Sequence, residues 1–342
     1  MQSVAQSKFV TLTAVLAALM LAGTFGLAQA PQGGAANANA DGVESALIQG
    51  NVHLVTAGGF NAAFSAGPDG VVVADTLPTR YAQQMVAAIR RVSTGPIRFI
   101  FNTHWHPEAT GGNAIVGDAG EIVVAGHFAG QASSQANRAY IWSHENALLR
   151  MTRTEGTPNA IPVAAWPTDV FFSERRDTYF NGESIMMIHT SNAHTDGDSF
   201  VYFRKSDVIL TGDVYQNQTF PMILTDQGGS IQGTVAALVR LVELMVPRDK
   251  QEGGTMAIPG RGRLADEADV VEYRDMTIVI RDRVADAIKR GQTLDQIKAA
   301  GLAMDYAGRY GQDAAWTTDQ FIEAVYNSLR NPPTDAVFTN LR

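Results

Sequence analysis

Cysteine is absent from all 342 residues. That excludes disulfides, thiolate metal ligands and a lipid-modified cysteine anchor. Any metal site must be built from His, Asp and Glu. Excess positive charge is missing as well: 26 Lys and Arg stand against 34 Asp and Glu, for a net charge of −8. A general nucleic-acid binder needs a basic face, so that class is excluded. Charged residues are sparse at 18% and hydrophobic ones reach 45%, which points to a packed core rather than extended disorder. No internal repeat is visible.

One long apolar run is present, at the start. Lys8 precedes FVTLTAVLAALMLAGTFGLAQA, which ends in Ala28-Gln29-Ala30. A positive start, an apolar middle and an A-x-A exit describe a secretory signal peptide, cleaved after Ala30. The run is also long enough to be a membrane anchor, but small residues dilute its end, and cleavage is the preferred reading. The mature protein is then exported, periplasmic or secreted, with no stable membrane anchor and no need of disulfides. Residues 31–44, beginning PQGGAANANADG, read as a flexible lead-in.

Short apolar runs follow: NVHLV, NAAFSA and GVVVAD within 51–75, separated by Gly-Gly and Pro-Asp-Gly turns, read as a strand meander. The spacing of Met85, Ile89 and Val92 predicts a helix over 81–92. IRFIFNT (97–103) and EIVVA (121–125) are expected strands, whereas 128–180 reads as irregular apart from a helix in SHENALLRM. SIMMIH, FVYFR and DVILT form a second strand series within 184–211. Ile231, Val235, Leu238, Val242 and Met245 make a helical stripe that Pro247 ends, and TMAI (255–258) is one more strand. After about 265 the pattern is helical: Tyr273, Met276, Ile280, Val284 and Ile288 line one face, and Gly291 stops it. Thr293-x-x-Gln296 and Thr317-x-x-Gln320 read as capping boxes.

Three expected strands end in candidate metal ligands. His104 and His106 follow IRFIFNT, His194 follows SIMMIH, and Asp213 follows DVILT. Strand ends can hold ligands to the tolerance a metal requires. Three imidazoles with one open position suit a hydrolytic zinc site, where a bound water has its pKa lowered towards ~7. Gly111, Gly112, Gly197 and Gly212 lie beside these residues and permit close backbone approach.

The motifs THWHPEATGGN (103–113), AHTDGD (193–198), TGD (211–213) and IPGRG (258–262) resemble, in order and spacing, those of the metallo-β-lactamase-fold hydrolases over roughly 50–265. The resemblance implies an α/β fold: an αββα sandwich over 45–265 with a C-terminal helical extension over 266–342. It also implies a first metal site of His104, His106 and His194, with Asp213 as the bridging acid. The second site departs from the family pattern. Glu108 stands at its aspartate position, Ala109 at one histidine position and Arg261 at another. Without a second cation, Glu108 and Asp213 would face each other as like charges. A guanidinium there supplies a fixed positive charge and a fork that fits a carboxylate. Arg261 is therefore expected in the place of the second metal, paired with Asp213, Glu108 or both.

One zinc per chain is the expected cofactor, with iron or a second metal as alternatives. Asp213 either ligates the metal or orients the water. Glu108 is a general base, a partner of Arg261, or solvated. Asp196 and Asp198 flank His194, and one of them is placed to orient an imidazole from behind. His53, His127 and His189 read as structural, and His144 as a helix cap. The expected function is hydrolysis of a small-molecule ester, lactone, thioester or β-lactam amide by a metal-bound hydroxide, with Asp213, Arg261 and Glu108 as catalytic groups. The resemblance also admits phosphate and sulfate esters. Two alternatives stand: an attenuated binding or scaffold protein derived from such hydrolases, and an iron-dependent oxidative site. Substrate contacts and oligomeric state are left open.

Overall fold

Short runs rich in Val, Ala and Phe build the first sheet of the computed structural model, which describes residues 42–121, 137–250 and 253–333. Strands Glu44–Gln49 (β1), Val52–Ala57 (β2), Phe60–Gly67 (β3) and Gly70–Ala74 (β4) pair antiparallel in sequence order. β1 begins at Glu44, the last residue of the expected lead-in, and runs through a stretch where the sequence predicts no strand. Its residues are mostly exposed or half-buried, so it carries no apolar alternation. The expected leader (1–30), the rest of the lead-in to residue 41, the EIVVA strand beyond Glu121 and His127 lie outside the described residues.

Helix Ala82–Val92 (α1) buries Met85, Ala88 and Ile89 against this sheet, while Val92, at its last turn, is exposed. Ile97–Phe101 (β5) adds parallel to β4. Two short helices follow, Pro107–Thr110 (α2) and Asn113–Asp118 (α3). Tyr140–His144 (β6) and Asp169–Phe171 (β7) continue the sheet in parallel, with Glu145–Thr152 (α4) between them. Sheet one thus has the order β1-β2-β3-β4-β5-β6-β7.

The stretch 128–180, expected to be irregular apart from a helix in SHENALLRM, contains that helix as α4 and also β6, β7 and the next strand, Arg175–Phe180 (β8). β7 has three residues, and β8 is an edge strand with the largely polar sequence RRDTYF, so neither shows an apolar run. Glu183–His189 (β9), Ser199–Phe203 (β10), Val208–Leu210 (β11) and Met256–Ile258 (β12) complete sheet two in the order β12-β11-β10-β9-β8. Its β11–β12 pair is parallel and the others are antiparallel.

The sheets pack through Val52, Val72, Phe101, Val201, Phe203, Leu210 and Ile258, all fully buried. Each such side chain contributes about 1.5–3 kcal/mol relative to exposure. Helix Ile231–Leu244 (α5) covers the outer face of sheet two. Helices Glu267–Lys289 (α6), Leu294–Ala299 (α7), Met304–Tyr310 (α8) and Thr318–Arg330 (α9) share its apolar cluster. Tyr273, Met276, Ile280 and Val284 of α6 are buried there. Thr293 and Thr317 both form the expected capping boxes, and Gly291, at φ 78°, follows the end of α6. The layers are αββα with a helical C-terminal part. No helix among the described residues is long and apolar enough to cross a membrane.

Candidate metal centre

The C-terminal ends of β5, β11 and β12 lie along one edge of the sandwich, where the β9–β10 loop joins them. His104 and His106 follow β5, His194 lies in the β9–β10 loop, and Asp213 follows β11. Arg261 follows β12 and forms an isolated antiparallel bridge to Phe60 at the start of β3. Asn61 pins that crossing by donating its Nδ2 to Pro259 O and Gly262 O, both at 2.9 Å.

Two glycines make the edge possible. Gly212 has φ 54°, and a Cβ there would stand 2.5 Å from Thr103 Oγ1. A Cβ on Gly260 would stand 2.0 Å from Asp213 Oδ1. Asp213 therefore fits only because residue 260 has no side chain.

Every imidazole is fixed from behind. His194 Nδ1 donates to Met222 O at 2.7 Å, and His106 Nε2 donates to Gln227 Oε1 at 2.7 Å. Thr103 Oγ1 donates to Asp75 Oδ2 at 2.7 Å, so it accepts from His104 Nδ1 at 3.0 Å. Each ring then carries its lone pair on the opposite nitrogen. Those nitrogens are His104 Nε2, His106 Nδ1 and His194 Nε2.

His104 Nε2 is buried without a hydrogen-bond partner. His194 Nε2 and His106 Nδ1 stand 3.1 Å apart, lone pair facing lone pair. Ligand atoms of the three histidines lie within 4.8 Å of one another. Tetrahedral ligands about 2.0–2.1 Å from zinc stand roughly 3.3 Å apart, so the donor set fits a divalent cation. Burial is the largest cause lowering all three pKa values, His106 and His194 to about 4 and His104 well below its ordinary value; repulsion from neighbouring rings adds to it at His104 and His106, and Arg261 adds to it at His194. The rings are neutral at pH 7, as ligands must be.

The acids form a second group. Ligand atoms of His104, Glu108 and Asp213 also lie within 4.8 Å of one another. Arg261 Nη2 is 2.9 Å from Glu108 Oε1 and 3.7 Å from Asp213 Oδ2. Its guanidinium lies over the Phe60 ring, 4.9 Å from the centroid. Burial pushes Asp213 up to about 6, Arg261 pulls against it and Glu108 adds to it. Burial also pushes Glu108 up, but His106, a backbone N–H and Arg261 outweigh it, and the net direction is down. Asp213 Oδ2 has no hydrogen-bond partner.

Asp196 and Asp198 require a correction. Neither carboxylate bonds an imidazole, because the outer ring nitrogens are taken by Met222, Gln227 and Thr103. Asp196 instead grips Arg150 of α4 with two bonds of 2.7 Å. Asp198 accepts from Thr195 N–H, Thr195 Oγ1 and the His194 backbone N–H, so it shapes the loop that carries His194. Asp75, Thr103, Gln227 and Met222 were not legible as site residues. Asp75 ends the GVVVAD run with φ 59°, a strained position for a non-glycine residue, and only that conformation marks it.

His144 caps α4, accepting from Asn146 N–H, and its ring stacks on His189 at 3.6 Å. Burial pushes His144 down to about 3. His53 stacks on Phe64 at 4.7 Å, a packing role.

The sequence profile of the metallo-beta-lactamase superfamily matches residues 49–247. A linear primary-alkylsulfatase from Pseudomonas sp. (strain ATCC 19151) is 24% identical over 267 residues, 67% of this chain and 47% of that protein. The chain thus spans about half the length of that relative. Among solved structures, the stereoselective inverting sec-alkylsulfatase Pisa1 from Pseudomonas sp. superposes with a TM-score of 0.64 at 14% identity, over 88% of this chain and 52% of that one. A metallo-beta-lactamase from Pontibacter korlensis gives 0.52 at 15% identity, over 69% of this chain and 99% of that one. With three neutral imidazoles converging at the edge of an αββα sandwich, and the family profile matching more than half its length, this chain belongs to the metallo-beta-lactamase superfamily.

Proposed function

We propose that the protein is an exported hydrolase that works with a single zinc ion held by His104, His106 and His194. The observation that carries this reading is the guanidinium of Arg261, 2.9 Å from Glu108 and 3.7 Å from Asp213. It gives both acids a permanent countercharge without a second cation. When bound, the zinc supplies Lewis acidity and a water of lowered pKa.

The chain's own groups do the rest. Asp213 Oδ2, buried and free to accept, takes a hydrogen bond from the attacking water and sets its direction. Arg261 keeps Glu108 ionised and places positive charge where the transition state gains negative charge. Gln227, Met222 and the Asp75–Thr103 pair hold the imidazoles in the tautomers that leave their inner nitrogens bare. The scissile bond belongs to an ester or a related acyl bond: sulfate ester, carboxylic ester, lactone, thioester or β-lactam amide. The alkylsulfatase relative and the alkylsulfatase neighbour support the sulfate ester within that group.

Metal content per chain tests the reading, measured on protein beginning at residue 31, purified without chelator and dialysed. About one equivalent, lost in His104→Ala, is expected for one tri-histidine site. Turnover of an ester panel, comprising sulfate esters, carboxylic esters, lactones, thioesters and β-lactams, should be lost in the same variant. No retained metal in a folded chain would overturn the reading and favour a binding protein with relict histidines.

A further inference from the structure

A cavity of about 240 Å³ opens beside Arg261, walled by Gly58 and Gly59 of the β2–β3 turn, by Phe60, and by Gln216 and Thr219 after β11. We propose that it is an oxyanion subsite in which Gln216 Nε2 and Arg261 Nε hold a negatively charged acid group of the substrate. The inference rests on the hydrolase reading and narrows its substrates to anionic ones.

Both donors are committed by what their neighbours already do. Gln216 is 1% exposed, and its Oε1 accepts from Thr219 Oγ1 at 3.0 Å. With the amide so oriented, Nε2 is the free end. Nε2 is buried with no hydrogen-bond partner. Arg261 spends Nη2 on Glu108, and its guanidinium lies over the Phe60 ring. Its Nε is also buried without a partner. A buried donor without an acceptor is expensive, and two on residues lining one cavity point to a ligand that brings acceptors.

Arg261 is the one cation and Asp313 the one acid among the lining residues; Asp313 Oδ1 accepts from Ala315 N–H at 2.8 Å, and Gln216 Oε1 is occupied. Carboxylate, sulfate and phosphate groups supply the missing acceptors and match a planar fork. The volume holds such a group with a short stem, since each water of liquid fills about 30 Å³. A long alkyl chain must lie outside it.

The test is calorimetric titration of the full metal-loaded chain with sodium sulfate, phosphate and acetate at constant ionic strength, with chloride as the control. Wild type, Gln216→Leu and Gln216→Glu are compared, and metal content is measured on each sample. Saturable binding of at least one oxyanion is expected, weakened about tenfold or more in Gln216→Leu and abolished in Gln216→Glu. Sulfate binding most tightly would assign the subsite to a sulfate group, acetate to a carboxylate and phosphate to a phosphate. The Tm of Gln216→Leu without added anion should equal or exceed that of wild type, because an unmatched buried donor has gone. If Gln216→Leu does not fold, Gln216→Asn, which keeps the amide but shortens its reach, should show the weakened binding.

Equal affinity in all three proteins would mean that the anion sits on the metal alone, and would overturn the subsite. Binding no stronger than chloride would do the same. Metal bound and esters hydrolysed, with anion binding indifferent to residue 216, removes the subsite and leaves the hydrolase reading intact. Metal absent from wild type removes the hydrolase reading, while the dependence on residue 216 still decides the subsite.

Discussion

Replacing Arg261 by Met keeps an unbranched apolar stem but removes the guanidinium and its charge. The guanidinium faces Glu108 at 2.9 Å and Asp213 at 3.7 Å, and the three side chains are 31%, 19% and 1% exposed respectively. A surface ion pair contributes about 0–1 kcal/mol, whereas stripping one partner from a buried pair costs about 3–5 kcal/mol. With Arg261 partly screened by solvent, the expected loss in metal-free protein is about 2 kcal/mol at pH 8. The loss should depend on pH. Burial holds Asp213 up to about 6, above its unfolded value, so the folded state binds this proton more tightly. Stability from this group is full below the unfolded pKa, declines as pH rises to about 6, and is level above. Without Arg261 the carboxylates of Glu108 and Asp213, within 4.8 Å of one another, push that pKa higher and extend the decline upward. A shared proton relieves the repulsion at pH 5. The loss there should be smaller than at pH 8 by about 1 kcal/mol or more. Urea unfolding of chelator-treated wild type and Arg261→Met at both pH values measures this. Equal losses at the two pH values, or a loss below about 0.5 kcal/mol at pH 8, would refute the claim that Arg261 neutralises this acid pair.

Gly260→Ala should displace Asp213, since the new Cβ would stand 2.0 Å from its Oδ1. Unfolding measurements should show a cost of about 1–3 kcal/mol, and turnover in the ester panel should fall; unchanged turnover would count against Asp213 as the group that directs the water. Asp75→Asn should weaken metal binding about 10–100-fold, measured by competition with a chromogenic chelator. The new amide would donate to Thr103 Oγ1, turn that hydroxyl towards His104 Nδ1, and move the ring proton onto the metal-facing nitrogen; an unaltered affinity would show that the tautomer is set elsewhere. Thr317→Ala removes the α9 capping box and should lower stability by about 1 kcal/mol with metal content unchanged, as urea melts and metal analysis would show.

The fold was legible wherever burial is one-sided. α5 and α6 each bury one stripe in the same apolar cluster, so Ile231, Val235 and Leu238, or Tyr273, Ile280 and Val284, recur at helical spacing. The capping boxes at Thr293 and Thr317 are local chemistry and depend on nothing distant. β1 and β8 were not legible because edge strands have no second neighbour to demand an apolar face. β6 and β7 are short, and each owes its pairing to a strand distant in the chain, β6 to β5 and β7 to β6.

The site divides along the same line. His104, His106, His194 and Asp213 could be named because each follows a strand, and a strand end is a local property. What makes them a metal site is not local. Met222, Gln227 and Thr103 fix one imidazole each, and the first two lie 28 and 121 residues from the rings they hold. Asp196 and Asp198 looked better placed because they are close in sequence, but a loop that must deliver His194 to the sheet edge needs its nearby acids for its own shape. Asp198 is spent on the His194 and Thr195 backbone, and Asp196 on Arg150. The partners that set ring tautomers must approach from outside that loop. Arg261 shows the converse. The sequence supplies its charge and its departure from the family's histidine. Its reach to Glu108 depends on Asn61 and Phe60, which tie the end of β12 to the start of β3 across the two sheets. A guanidinium anchored on both sheets cannot leave as a metal ion can, so the acid pair keeps its countercharge whatever the metal supply.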